Sequence, residues 1–442
     1  MQPGISVKTM SQRRDVKHST TVSLPIGADQ ITPSGTFGRR FVAARLAPDR
    51  WVCHHGHMNC RPIYPLFVTA ILIGGARQSL GDEWSPPESL DELPAVSGLP
   101  DLMTFADGTP VRSPDDWEHR RDELKAMIQY YEYGHLPPRP DRVTVEDRIL
   151  GPIANCEGTE ERLTLVIGTQ EQLRMRIAVY KPQTDGKLPV LIREEHALGH
   201  IEEVPSILER GYLFVEFTRE DLDPDAADVV GPAQAAYPDH DWGTLAVWAW
   251  GAMRVADYLE RLDDVDLEQI GIVGHSRGGK MALLAGALDE RFALVAPNGS
   301  GCGGAGCFRI EQKKVETLEL ITQPERFAYW FHPRLRWFAD QEERLPIDQH
   351  FLKALVAPRA LICTESTGDV WANPTGNRAT SRAAQSVFDL LDVSDHNAVH
   401  FRDGQHDLTP SDWTAILDFA DWHFRGQRPA NEETFFQHRA SD

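Results

Sequence analysis

Strands alternating with helices, no internal repeat, and a serine at the end of a strand that runs directly into a helix predict an α/β fold. The expected architecture is a mostly parallel sheet with helices on both faces, a three-layer sandwich. Apolar, β-rich runs occur at 161–167 (ERLTLVI), 174–180 (RMRIAVY), 188–193 (LPVLIR), 212–217 (YLFVEF), 269–274 (QIGIVG), 292–296 (FALVA), 359–364 (RALICT) and 398–402 (AVHFR). Near-continuous apolar character over such short runs is what a strand covered on both faces requires. Helical runs intervene at 243–261, 279–288 and 379–391, and another closes the chain at 411–424.

The first helix is expected within SPDDWEHRRDELKAMIQYYEYG, residues 113–134. Ser113 suits the N-cap, Pro114 the first helical position, Asp115 and Asp116 the positive end of the helix dipole, and Gly134 the stop. Residues 77–112, rich in proline and acid, read as an extended lead-in to a domain spanning 113–442. The upstream residues differ in composition. Residues 1–76 hold nine Lys and Arg against three Asp and no Glu. Within them, Arg61 precedes an apolar run from Ile63 to Ile73, followed by Gly74, Gly75 and Ala76. That is the order of a secretory signal, and the run is shorter than the roughly 20 residues of a membrane span. Residues 58–76 are therefore expected to be a signal peptide starting at Met58, with residues 1–57 a mis-assigned or disordered extension. Secretion or a periplasmic location follows, without stable membrane insertion.

A net charge of −21 and a pI near 5.2 repel phosphate backbones, which argues against a nucleic-acid partner. Beyond residue 76 the cysteines are Cys156, Cys302, Cys307 and Cys363. Export permits disulfides among them, in any of three full pairings. There is no C-x-x-C pair to suggest structural zinc. The pairs His196/His200 and His396/His400 have metal-like spacing without further ligands nearby. The glycines of SGCGGAG, residues 300–306, open no evident helix and do not make a dinucleotide loop.

The chemistry centres on GIVGHSRGGKMALLAG, residues 271–286. Gly274-His275-Ser276-Arg277-Gly278 is a G-x-S-x-G pattern, which alone arises by chance in roughly one chain in six of this length. Its position between a strand and a helix is the context of a nucleophile elbow in an α/β-hydrolase. A serine hydroxyl needs a base, and in such folds the order is Ser, acid, His. His406, in the loop between the last strand and the last helix, is the expected base. The acid is expected in the loop after strand 359–364, where Asp369 is preferred and Glu365 is the alternative. Acyl transfer by these groups requires no metal or organic cofactor.

Longer stretches carry a resemblance. These are GHSRGGKMALLAGALDERFALVAPNGSGCGGAG from Gly274, LDPD at 222–225, DWGTLAVWAWGAMRVADYLE at 241–260, LPIDQHFLKALVAPRAL at 345–361 and GDVWANPTG at 368–376. Together they resemble the glucuronoyl esterases, 4-O-methyl-glucuronoyl methylesterase-like carbohydrate esterases of plant cell-wall degradation, over most of residues 100–425. The resemblance implies that Arg277 helps hold the oxyanion and Lys280 binds hydroxyls of a uronic acid. It further implies that Trp371 stacks on or hydrogen-bonds the sugar, and that Glu316 matches a sugar-binding Glu across a small gap. Lysine in the first turn of a helix opposes the helix dipole, which invites such a role. Fungal members carry their acid as a Glu after the next strand, where this chain has Gly299. Bacterial relatives supply an Asp two residues before the loop Trp, here Asp369.

The expected activity is hydrolysis of glucuronic acid esters in plant or algal polysaccharide. An acetyl-polysaccharide or general carboxylesterase is the alternative, and a catalytically weak carbohydrate-binding homologue a further one. The sequence leaves the oligomeric state open.

Overall fold

The computed structural model describes residues 84–439 apart from 155, 169–172 and 311–312. The segments 1–57 and 58–76 lie outside the described residues. Among the described residues nine strands form one sheet: β1 (Val143–Pro152), β2 (Thr159–Ile167), β3 (Leu173–Lys181), β4 (Leu188–Glu195), β5 (Leu213–Thr218), β6 (Val265–His275), β7 (Phe292–Asn298), β8 (Ala360–Ser366) and β9 (Asn397–Arg402). The helices are α1 (Pro114–Ile128), α2 (Val204–Glu209), α3 (Pro232–Ala236), α4 (Thr244–Leu259), α5 (Arg277–Leu288), α6 (Leu318–Ile321), α7 (His350–Val356), α8 (Pro374–Leu390) and α9 (Pro410–Arg425).

The strand order is β1-β2-β3-β5-β4-β6-β7-β8-β9. From β5 through β9 the pairing is parallel, while β1, β2 and β3 add an antiparallel wing joined through β5. Side chains alternate between the two faces with period two. Val190, Ile192, Val215, Ile272, Val295 and Leu361 pack in one core with α4, α5, α7 and α8. Their neighbours Leu191, Phe214, Val273, Leu294 and Ile362 pack in the other with α2 and α9. Every residue of α4 is buried, which explains why TLAVWAWGAMRVADYL is apolar around most of its circumference, its Arg254 and Asp257 pairing with each other at 2.6 Å. Each fully buried Leu, Val or Met there contributes about 1.5–3 kcal/mol. This is the three-layer α/β-hydrolase arrangement, and it turns the carboxyl ends of β6, β8 and β9 toward the same edge.

Eight of the nine strands coincide with the expected runs. β1 does not, because it is an edge strand that is mostly solvent-facing. A bulge at Asp147, where φ is 52°, also shifts its register between Glu146 and Ile149 and breaks the two-residue period. Ser113 caps α1 in a reciprocal box with Asp116, and Gly134 ends the helical segment at φ 82° after a π-turn over Gln129–Tyr133. α8 begins earlier than expected, since Asn373 caps it and Pro374 takes its first position.

In the described part of the lead-in, 84–112, a 3₁₀ turn at Leu90–Glu92 and a Thr104–Pro110 bridge are the regular structure. It nevertheless lays Leu93, Leu102 and Val111 into the larger core. At the far end, Phe436 bridges Val399 of β9 and Gln437 accepts from the Phe401 N–H, so the C-terminal segment runs along the outer edge of β9. Among the described residues, Cys156, Cys302, Cys307 and Cys363 are unpaired. No helix of the described residues is long and apolar enough to cross a membrane.

Candidate active site

Ser276 adopts φ 57° and ψ −120° between β6 and α5. A non-glycine residue with that backbone is held there by its surroundings. Its N–H donates to Asn298 O at 2.9 Å, and its carbonyl accepts from Gly279 N at 3.0 Å. A Cβ at Gly274 would overlap the Gly278 carbonyl, whereas one at Gly278 would overlap the Glu194 carboxylate. Thus the first glycine of the motif clears the turn itself and the second clears β4. The opening N–H groups of α5 beside Ser276 are those an α-helix leaves without intrahelical partners.

His406 sits between two partners. Its Nε2 is 2.9 Å from Ser276 Oγ and its Nδ1 is 2.5 Å from Asp369 Oδ2. Asp369 is buried, and its other oxygen accepts from Ala372 N at 3.3 Å. The two loops are laced together, with Thr367 N donating to Arg402 O at 2.8 Å and Thr367 Oγ1 to Asp403 Oδ1 at 3.2 Å. Arg402 bonds the Asp403 and Asp407 carbonyls while its Nε reaches Asp412 of α9 at 2.6 Å. The histidine therefore rides on a loop braced from both ends.

Glu365, the alternative acid, does not meet His406. It is fully buried, and Asn377 Nδ2 donates to its Oε1. Burial pushes its carboxyl up to about 8, against the lowering effect of Asn377. At Gly299, φ is 51° and a Cβ would lie 3.5 Å from His406 Nδ1 and 3.6 Å from Asp369 Oδ2. A carboxylate side chain from position 299 and one from position 369 would therefore reach the same imidazole edge.

Lys280, Glu316 and Trp371 come together from three separate stretches of chain. Lys280 Nζ donates to Glu316 Oε2 and to Ser300 O, each at 2.7 Å, and to Cys302 O. Glu316 N donates to Trp371 O at 2.9 Å. Lys280 thus has three protein acceptors for its protons in this structure, and the residue is 2% exposed. Those acceptors also account for a cation in the first turn of α5 without a ligand. Trp371 is 38% exposed and remains a free aromatic face beside Asp369.

Arg277 directs its guanidinium to the Asp225 carboxylate and lies 5.1 Å above the Trp330 ring centroid. His275 packs on the base, its ring centroid 4.7 Å from that of His406, with Nδ1 2.6 Å from Asn298 Oδ1. Burial pushes the His275 imidazole down to about 4, so at neutral pH it adds no second cation beside His406. Sequence reasoning missed Asp225, Asn298 and His275 as site residues. The LDPD motif and the x of G-x-S-x-G were the available signals. Among the described residues no group of three or more His, Cys, Asp or Glu could hold a metal ion.

Comparison with known proteins agrees with this geometry. The family model "Glucuronyl esterase, fungi" matches residues 166–392. A carbohydrate esterase, MZ0003, from an unknown prokaryotic organism is 31% identical over 397 residues, covering 74% of this chain and 90% of that protein. The 4-O-methyl-glucuronoyl methylesterase of Schizophyllum commune is 32% identical over 317 residues, covering 68% of this chain and 75% of that one. Among solved structures, a family 15 glucuronoyl esterase from Caldicellulosiruptor kristjansonii superposes with a TM-score of 0.68 at 32% identity, covering 80% of this chain and 98% of that one. With its fold, its serine–histidine–aspartate geometry and these similarities, the chain belongs to the glucuronoyl esterase family and is a carboxylic-ester hydrolase.

Proposed function

We propose that this protein hydrolyses esters of glucuronic acid in plant or algal polysaccharide through an acyl-enzyme on Ser276. The observation that carries the reading is His406 held between Ser276 Oγ and Asp369 Oδ2 at 2.9 and 2.5 Å. His406 Nε2 takes the serine proton as Oγ bonds to the ester carbonyl carbon, and Asp369 stabilises the imidazolium that results. The tetrahedral oxyanion is met by Arg277 and the first N–H groups of α5. Collapse breaks the bond to the alcohol, which leaves with the proton from His406. Water then gives a proton to the same histidine and attacks the acyl carbon, releasing the uronic acid and restoring the serine.

The uronate preference is supported by the names of the relatives, which are 4-O-methyl-glucuronoyl methylesterases. Trp371 would stack on or hydrogen-bond the sugar, and Lys280 with Glu316 would bind its hydroxyls. Residues 58–76 are proposed as the leader that sends the protein out of the cytoplasm, a reading N-terminal sequencing of the exported protein would check.

The test uses protein beginning near Arg77, assayed on benzyl glucuronate and on an aryl acetate beside Ser276→Ala. Cleavage of the glucuronate that Ser276→Ala abolishes supports both mechanism and substrate class. Cleavage of the acetate alone keeps the nucleophile and removes the uronate assignment. Equal rates for the unaltered protein and Ser276→Ala would remove the mechanism.

A further inference from the structure

The LDPD motif plays no part in the mechanism above, yet its last residue reaches the site. Asp225 has a side chain only 9% exposed. Its Oδ1 accepts from Tyr329 OH at 2.8 Å and from Trp330 Nε1 at 2.9 Å, and its Oδ2 pairs with Arg277 Nη1. Arg219 Nη2 stands 3.9 Å from the same Oδ2, and its Nη1 is 2.6 Å from Glu194 Oε2. Glu194 in turn lies against Gly278, directly under the turn that holds Ser276. Charges thus alternate from Glu194 through Arg219 and Asp225 to Arg277, the residue that follows the nucleophile. One end of this line is fixed on strand β4 and the other lies over the Trp330 ring.

An arginine side chain that is 38% exposed, as Arg277 is, would sample many rotamers if nothing held it. Holding an arginine costs rotamer entropy, so its use as a preset donor depends on a partner that has already restrained it. Asp225 is such a partner, and the Trp330 ring beneath the guanidinium sets the plane. Burial tends to raise the Asp225 carboxyl, but Trp330, Tyr329 and Arg277 outweigh it and keep the group below the usual carboxylate range. The anion that aims Arg277 therefore persists across the pH range in which a histidine base works. Arg219, 3.9 Å from the same oxygen, offsets part of that anion, which leaves the guanidinium charge of Arg277 available to an oxyanion.

We infer that Asp225 is the positioning residue for Arg277, presetting its guanidinium toward the oxyanion that forms on Ser276. The inference rests on the oxyanion role proposed for Arg277 above.

The experiment is a double-mutant cycle on benzyl glucuronate, with kcat and KM measured for Asp225→Ala, Asp225→Asn, Arg277→Ala and the double variant Asp225→Ala/Arg277→Ala, and unfolding followed for each. Arg277→Ala is expected to lower kcat by about 10²-fold, the loss typical of one oxyanion donor. Asp225→Ala is expected to lower kcat by about 10-fold with KM nearly unchanged, the pattern of an interaction made in the transition state. In the Arg277→Ala background the Asp225 change should lower kcat no further. Equal losses in both backgrounds would make Asp225 a structural anchor of its loop and overturn the inference. No loss in the unaltered background would overturn it too. Asp225→Asn keeps acceptors for Tyr329 and Trp330, so it reads the same cycle if the alanine variant fails to fold. An Arg277→Ala enzyme with unchanged kcat would instead remove the oxyanion role itself, a distinct failure.

Discussion

Lys280 and Glu316 form a buried ion pair with Nζ 2.7 Å from Oε2, their side chains 3% and 5% exposed. A pair out of water is held by geometry, and each partner alone would be a stranded charge. Placed on the inner wall of the site, the pair links α5 to the segment that hydrogen-bonds Trp371.

Removing one partner should therefore be felt first in stability. Lys280→Met and Glu316→Gln, measured by chemical denaturation, should each cost about 3–5 kcal/mol, the range for breaking a buried pair. A role confined to direct contact with a sugar hydroxyl would raise KM and leave unfolding untouched.

The two acid candidates separate cleanly by substitution. Asp369→Asn should lower kcat by about 10⁴-fold, because the amide no longer holds the imidazole in its working tautomer or balances its cation. Glu365→Gln should leave kcat near that of the unaltered enzyme, since Glu365 bonds Asn377 and not His406. Steady-state kinetics on one ester decides both.

Glu365 also carries a pH signature. Its folded pKa of about 8 is raised above the ordinary 4.5, so the folded state binds the proton more tightly than the unfolded one. Its contribution to stability is complete below about pH 4.5 and is lost as pH rises through 8. Glu365→Gln, neutral at every pH, should show a higher Tm than the parent at pH 8.5 and nearly the same Tm at pH 5.

The proximity of position 299 to the imidazole predicts a transplant. In an Asp369→Ala enzyme, adding Gly299→Glu should recover part of the lost kcat. The φ of 51° at that position costs a side chain about 1–2 kcal/mol, so recovery should be incomplete and Tm should fall slightly. A double variant no more active than Asp369→Ala would show that the second carboxylate does not reach His406.

Much of this architecture was legible because local chemistry and fold agree. Apolar runs marked the strands of the sheet interior, and the turn at Ser276 announced itself by its glycines. The Ser, Asp, His order matched the successive edges of β6, β8 and β9. What stayed hidden depended on partners far away in sequence. Lys280 reads as a misplaced cation until Ser300, Cys302 and Glu316 surround it. Asp225 reads as a loop aspartate until Tyr329, Trp330 and Arg277, 52 to 105 residues away, converge on it. β1 was missed for a different reason, because a bulged edge strand carries neither an apolar run nor a clean alternation.

The segment from Phe436 that runs along β9 has a consequence for how these molecules behave in concentrated solution. An open sheet has two rows of unpaired peptide groups, each a template on which another chain can add a strand. Here the C-terminal segment occupies the β9 row, and at the opposite row the kink at Asp147 interrupts any straight partner. Trimming the chain back to α9 would bare the parallel row, and the first symptom should be self-association and precipitation, with the distant serine site still intact.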